Sequence, residues 1–181
     1  MSLITWKRPR TVSSVDPRVV ISPEQARRFL AAVEGQGERG KRMMAFFATL
    51  YYAGLRPEEA SELRRQNLVL PDEAGKWGQM QLTHSQVRSG SRWTDSGDVR
   101  EQAPLKHRAV GDTRQVPIHP ELAAILRTHV QSYVMAAPNS RVFSSLAGGP
   151  VTDRMYLKVF HDARTAAFTP EEAASPLMEV P

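Results

Sequence analysis

The sequence predicts an α+β domain that is mainly helical, with a small antiparallel sheet or hairpin inserted after the third helix. Apolar residues recur at helical spacing both before residue 64 and after residue 119. Short runs with the composition of β-strands lie only between these two stretches. A mostly helical domain with a small antiparallel sheet inserted between its helices is an α+β fold.

The first helix is predicted to begin at Pro23, because Ser22 is a good N-cap residue and proline suits the first helical position. The apolar residues that follow lie at i, i+3, i+4 and i+7, which is typical of an amphipathic helix. These residues are Ala26, Phe29, Leu30 and Val33.

Glycines are expected to end this helix and form a loop. The second helix, over about residues 41–52, is apolar around most of its circumference, so it is predicted to lie in the core. Gly54 is expected to end it, and Pro57 to open a short third helix with Leu63 on its buried side. The glycines of the predicted loop are Gly35, Gly37 and Gly40.

Three strands are predicted, at residues 68–70, 80–83 and 114–118. Pro117 places the last of them at a sheet edge, since proline cannot donate a ladder hydrogen bond. Residues 85–112 are rich in serine, glycine, arginine and aspartate. They are predicted to form a long loop or an irregular hairpin, and a loop of that length inside a domain is usually functional or disordered.

The remaining chain is predicted to be helical. Two amphipathic helices are indicated over residues 122–134 and 153–168. Residues 169–172, with sequence TPEE, form a capping box for one more short helix. We interpret the tyrosines on these helices and on the second helix as core or boundary residues. They are Tyr51, Tyr52, Tyr133 and Tyr156.

Composition restricts the classes of function. The formal net charge of +5 suits a polyanionic partner without requiring one. The absence of cysteine excludes disulfides, thiolate metal sites and cysteine nucleophiles, and fits a reducing cytoplasm. The histidines show no paired ligand spacing, so neither a metal nor another cofactor is predicted. No apolar run approaches the length of a membrane span, so no membrane partner is predicted.

The chain divides into two parts. Residues 1–20 carry four basic side chains against one acid and show no helical period, so they are interpreted as a basic interdomain linker. Residues 21–181 are interpreted as one domain, to which the length of the chain is suited.

The most informative segment is residues 54–63, with sequence GLRPEEASEL. It places Arg56 at the start of a helix, where the helix N-terminus favours an anion and a guanidinium adds a bidentate fork for phosphate oxygens. Glu59 lies three residues on, on the same helix face, where it is able to hold that fork. The alternative is a surface arginine paired with a glutamate.

This segment resembles the first signature box of the tyrosine recombinases, the phage integrase family, which reads G-L-R-x-x-E-x-x-x-L here. The resemblance implies that Arg56 binds the scissile phosphate and that Glu59 supports it. Residues 105–108 (LKHR), followed by 114–118 (RQVPI), are similar to the family's hairpin. This implies that Lys106 is the general acid for the leaving 5′ oxygen. The alternative for Lys106 is a solvated lysine in a basic loop.

Further arginines in and beside the predicted loop are candidates for contacts with DNA phosphates. A solvated loop is the alternative, because the negative charges of neighbouring acids formally balance the positive charges of the loop arginines. The candidate contacts are Arg88, Arg92, Arg108 and Arg114.

The family also requires a second box, H-x-x-R, and then a tyrosine nucleophile. His161 and Arg164 spell the box, but they lie inside a predicted helix, so we interpret them as part of its solvated side. No tyrosine follows them. The sequence is therefore expected to be a truncated integrase-like catalytic domain without its nucleophile.

The resemblance implies a fragment of a site-specific recombinase that breaks and rejoins double-stranded DNA through a covalent phosphotyrosine. The complete protein is expected to assemble as a tetramer on DNA, and the fragment to be inactive alone. Two alternatives remain: a non-catalytic DNA-binding or assembly module derived from an integrase, and a basic helical domain unrelated to DNA.

Overall fold

The computed structural model describes residues 21–83, 85–88, 100–103 and 113–173. These ranges contain six α-helices around a small antiparallel sheet, as the sequence predicts. None of the described helices has the length and apolar character needed to cross a lipid bilayer. The helices are α1 (Pro23–Glu34), α2 (Gly37–Ala53), α3 (Pro57–Glu62), α4 (Pro120–Tyr133), α5 (Asp153–Ala167) and α6 (Pro170–Ala173). The strands are β1 (Leu68–Val69), β2 (Gly78–Leu82), β3 (Ser85–Arg88), β4 (Arg100–Ala103) and β5 (Arg114–Ile118).

The start of α1 is a capping box. Ser22 Oγ accepts the Gln25 N–H at 3.2 Å, and Gln25 Oε1 accepts the Ser22 N–H at 3.0 Å. Two donors that the first helical turn leaves unpaired are thereby satisfied. The predicted stripe of α1 is buried, so both the start and the inner face of this helix are confirmed.

The start of α2 corrects one expectation. Gly37 and Gly40 were expected in a loop, but α2 begins at Gly37 and contains Gly40. Gly40 is buried against the end of α1, where an added Cβ would lie 2.0 Å from the Val33 carbonyl oxygen. Glycine is therefore needed there so that the two helices can approach closely. The use of glycine as a helix-ending signal does not detect this packing role.

The core is built around α2, which packs against α1, α4 and α5. Phe46 is fully buried at its centre. Its ring meets those of Phe47 and Phe143 edge-on, each at a centroid distance of 5.5 Å, and stacks on Tyr156 at 5.8 Å. Aromatic pairs prefer such edge and offset arrangements. The prediction that the second helix lies in the core is confirmed.

The three-stranded sheet has the order β1-β2-β5, with both pairs antiparallel. Met80, in the central strand, pairs with Leu68 on one side and Val116 on the other. Within the described residues β5 pairs with β2 alone, so the predicted edge position of Pro117 is confirmed. The sheet turns Met80, Leu82 and Ile118 into the core.

The segment 85–112 is partly a hairpin. Strands β3 and β4 form a two-stranded antiparallel ladder that runs from the pair Ser85–Ala103 to the pair Arg88–Arg100. Of the two predictions for this segment, a long loop or a hairpin, the hairpin is therefore the correct one for residues 85–88 and 100–103. Residues 89–99 and 104–112 lie outside the described ranges.

The last helices close the domain against α1. Thr169 and Glu172 form the predicted capping box, with backbone-to-side-chain distances of 2.9 Å and 3.2 Å. Arg28 of α1 reaches across to the carboxylate of Glu172 at 2.7 Å and also donates to the Ala167 carbonyl oxygen. Glu172 thus caps α6 and ties it to α1, and its pKa is lowered to about 2, chiefly by the hydrogen bond from Arg28.

Among the described histidines, His129 lies inside the domain. His129 of α4 is 4% exposed, and its Nε2 lies 2.8 Å from the Val142 carbonyl oxygen. Because a carbonyl oxygen only accepts, Nε2 carries the proton. Burial lowers the pKa of His129, since a charged imidazolium is poorly solvated there.

We expect the stability of the domain to fall as the pH drops below the ordinary histidine pKa. The unfolded chain then binds a proton that folded His129 resists, so the linkage slope approaches about 1.4 kcal/mol per pH unit. Urea unfolding between about pH 7 and about pH 5 measures this slope. His129→Gln should lose this part of the pH dependence, whereas His161→Gln, at an exposed position of α5, should keep it. Full pH dependence in His129→Gln would contradict the assignment.

Candidate functional site

The turn between α2 and α3 projects Arg56 from the domain. Gly54 ends α2 in the left-handed conformation, with φ 60° and ψ 32°, which residues with a side chain rarely adopt. Leu55 then turns inward and is 5% exposed. Arg56 follows in extended conformation, directly before Pro57 at the first position of α3. A buried leucine and a left-handed glycine thus fix the backbone from which an exposed arginine extends.

The guanidinium group of Arg56 is available to an external anion. Its residue is exposed, and among the described residues it takes part in no hydrogen bond or ion pair through its side chain. A free guanidinium offers several N–H donors in a planar fork that matches phosphate oxygens.

The carboxylate of Glu59 supports this turn in a different way from the one expected. Its Oε2 accepts the backbone N–H of Arg56 at 2.9 Å and the Nη2 of Arg114 at 2.8 Å. Within the described contacts, Glu59 therefore holds the backbone of Arg56 and the fork of another arginine. It also occupies the backbone N–H of Arg56, so this one of the N–H groups at the start of α3 is not free for an anion.

Arg114 joins the sheet to this turn. It is the first residue of β5, opposite Leu82 of β2, and its side chain is 35% exposed. Glu59 is 8% exposed in its side chain, so the ion pair is well shielded on the carboxylate side. The start of β5 is thereby tied to the start of α3.

The hairpin lies beside the same helix. Strand β3 packs against α3, so the backbone that carries Arg88 runs next to the helix that Arg56 opens. The side chain of Arg88 lies outside the described part of the chain, as do Arg92, Lys106 and Arg108. The role of Lys106 as general acid, which the resemblance implies, stays a prediction.

Glu62 anchors the other end of α3. Its side chain is 2% exposed and lies between the Nη2 of Arg64, at 2.7 Å, and the Nη1 of Arg141, at 2.6 Å. Arg141 also donates to the Ser61 carbonyl oxygen at 2.9 Å. This cluster could not be predicted from the sequence, because Arg141 lies 79 positions from Glu62 and no local pattern links them.

Replacing Glu62 with Gln is expected to destabilise the domain by about 3–5 kcal/mol, because two shielded arginines lose their counter-charge. Urea unfolding monitored by tryptophan fluorescence measures the change. The matched control is Glu38→Gln, which removes an exposed glutamate paired with Lys41 at 2.9 Å and should leave stability almost unchanged. Equal effects of the two substitutions would show that the Glu62 cluster does not anchor α3.

The H-x-x-R segment lies within α5, as expected. His161 is exposed, and Asp162 pairs with Lys158 at 3.0 Å, so this side of the helix is solvated. Arg164 is half-buried instead, because its guanidinium donates to the Ala173 carbonyl oxygen and holds α6.

The tyrosines are half-buried boundary residues, as predicted. Tyr156 stacks on Phe46. Tyr52 donates a hydrogen bond to Glu121, and burial together with this bond raises the pKa of Tyr52 to about 12. Tyr51 packs edge-on against Tyr52 at 4.8 Å. Tyr133 lies against the ring of His129.

The fold is similar to that of solved structures of an integrase and a recombinase. A solved structure of the Tn1549 transposon integrase in complex with a circular intermediate DNA matches 91% of this chain, with a TM-score of 0.61 and 16% sequence identity. The XerA recombinase matches 91% of the chain with a TM-score of 0.52 and 19% identity.

The match spans about half of each solved chain: 51% for the integrase complex and 47% for XerA. The same integrase in complex with transposon right end DNA gives a TM-score of 0.60 at 16% identity. At this identity the likeness establishes the fold. No protein-family model and no curated protein sequence matches the chain.

Proposed function

We propose that this chain is part of the catalytic domain of a tyrosine-type site-specific DNA recombinase, and that Arg56 binds the scissile phosphate. The observation that carries the proposal is the exposed guanidinium of Arg56, on a turn that Gly54, Leu55 and Glu59 hold in place. The fold around this turn is similar to that of a solved integrase. Both integrase structures described above contain DNA, which supports duplex DNA as the partner.

The proposed chemistry needs a cation at this position. When a tyrosine oxygen attacks a DNA phosphate, a bond to the 3′ phosphate forms, and the bond to the 5′ oxygen breaks. Charge builds on the phosphate oxygens in the transition state, and a positioned guanidinium stabilises it without a metal. Lys106 would give its proton to the departing 5′ oxygen. Both roles remain proposals carried over from the resemblance.

The rest of the basic surface is proposed to hold the duplex. Arg88, Arg92 and Arg108 belong to the sequence segment 85–112 and would contact the phosphate backbone, which supplies affinity without sequence preference. Residues 1–20 are proposed as the linker to a further DNA-binding region and 21–181 as the domain itself. We propose that the complete protein acts in the cytoplasm as a tetramer on DNA.

The chain is expected to bind a duplex oligonucleotide of arbitrary sequence weakly and in a salt-dependent way. Arg56→Gln should weaken binding and reduce the slope of log K against log salt by about 0.9, the contribution of one phosphate contact. Fluorescence anisotropy across a potassium chloride series measures both quantities. The control is Arg39→Gln, which removes the same charge from an exposed site near the opposite end of α2. Salt-independent binding, or no binding at low salt, would contradict the proposal.

The chain alone is expected to form no covalent complex with DNA. Each of its four tyrosines packs at the boundary of the core, and none is paired with Arg56 among the described residues. A nicked suicide substrate carrying several candidate sites, followed by a denaturing gel, tests this. A DNA-linked band that disappears in Tyr156→Phe would overturn the expectation, and would make His161 and Arg164 catalytic candidates. A non-catalytic DNA-binding module gives the same negative gel, so the salt titration remains the test of binding.

A further inference from the structure

We infer that Arg114 is a positioning residue of the Arg56 site, and that it acts by holding the Glu59 carboxylate that fixes the Arg56 backbone. The inference rests on the proposed function and deepens it. It assigns Arg114 a task different from the direct phosphate contact that the sequence suggested. It also makes the ion pair between Glu59 and Arg114 the connection between the turn that carries Arg56 and strand β5.

The first support is the shared acceptor. A single oxygen, Glu59 Oε2, accepts from the Arg56 backbone at 2.9 Å and from Arg114 at 2.8 Å. Glu59 is 7% exposed, so its charge is poorly solvated and depends on these donors. Both bonds are charge-assisted, but only the bond from Arg114 joins two opposite full charges, so Arg114 contributes strongly to where this oxygen lies.

The second support is the direction of the Arg114 side chain. Nη2 of Arg114 donates to Glu59, and Nε of Arg114 is buried without a hydrogen-bond partner among the described residues. The guanidinium is thus directed towards the domain, unlike that of Arg56. A phosphate that recruited Arg114 fully would leave Glu59 without its cation, which costs more than an exposed contact returns.

The third support is the position of Arg114 in the chain. It begins β5, immediately after Thr113 and the segment 104–112 that contains Lys106. The point at which this segment rejoins the sheet is therefore tied to the turn that carries Arg56.

Loss of Arg114 has a specific consequence for the site. The Glu59 carboxylate would be left close to Arg56, whose backbone N–H it accepts, and opposite charges attract at such a distance. Pairing between them would withdraw the Arg56 guanidinium from an external phosphate. In a Glu59→Gln variant no carboxylate is present to attract Arg56, so the loss of Arg114 would not withdraw the Arg56 guanidinium. This difference makes the inference testable.

The test is a double-mutant cycle on duplex binding by the whole chain, with Arg114→Gln made alone and together with Glu59→Gln. Alone, Arg114→Gln should weaken binding roughly tenfold, about the value of one charge-assisted contact. In the Glu59→Gln background it should have little further effect. Equal losses in both backgrounds, each with a salt slope lowered by about 0.9, would show a direct phosphate contact and overturn the inference. Arg39→Gln is the charge-matched control.

A second measurement does not depend on DNA. The Arg56 amide donates to Glu59, so its hydrogen exchange reports whether the carboxylate is held in place. Exchange should accelerate in Arg114→Gln, remain close to wild type in Arg114→Lys, and be unaffected by Arg39→Gln. An unchanged rate in Arg114→Gln would overturn the inference even where DNA binds as proposed. Accelerated exchange in a chain that does not bind DNA would instead contradict the proposed function alone.

If Arg114→Gln proves too unstable to study, Arg114→Lys replaces it in the cycle. Lysine keeps the charge but replaces the planar fork with a single ammonium group, so a smaller loss of duplex binding is expected. That loss must also vanish in the Glu59→Gln background. A loss that persists there would overturn the inference.

Discussion

Two buried carboxylates determine where α3 lies, and much of the candidate site depends on them. A helix of six residues is too short to be stable through its own hydrogen bonds. Glu59 ties its first turn to the start of β5, and Glu62 ties its last turn to Arg64 and Arg141. Ala60 and Leu63 add apolar burial between and beyond them. The helix is therefore positioned by the rest of the domain, and Arg56 with it.

These ties also divide the arginines of the region into two groups. Arg64, Arg114 and Arg141 each pair with a buried glutamate, so their charges are largely balanced inside the protein. Arg56 is exposed and has no such partner among the described residues, so its charge is not balanced by a buried acid. The net charge of +5 therefore does not by itself locate a binding surface. The exposed cations that the buried acids leave unpaired are a better guide to such a surface than the net charge.

Features set by neighbours in the sequence could be predicted, and features set by distant contacts could not. The capping boxes at Ser22 and Thr169 and the edge position of Pro117 follow from backbone donors and acceptors within a few residues. Gly40 was misassigned to a loop because its role depends on the approach of another helix. The acceptor of the Arg114 guanidinium was missed for the same reason, since Glu59 lies 55 positions away.

The same distinction explains how the fold is shared at 16–19% identity with solved integrases and a recombinase. Many combinations of apolar residues fill a core of this shape, provided that volume and pattern are kept. A phosphate site tolerates less change, because a guanidinium displaced by about 1 Å loses much of its effect on a transition state. The proposed function therefore depends on Arg56, on Glu59, which accepts its backbone N–H, and on Arg114, which pairs with Glu59, more than on the extent of the fold around them.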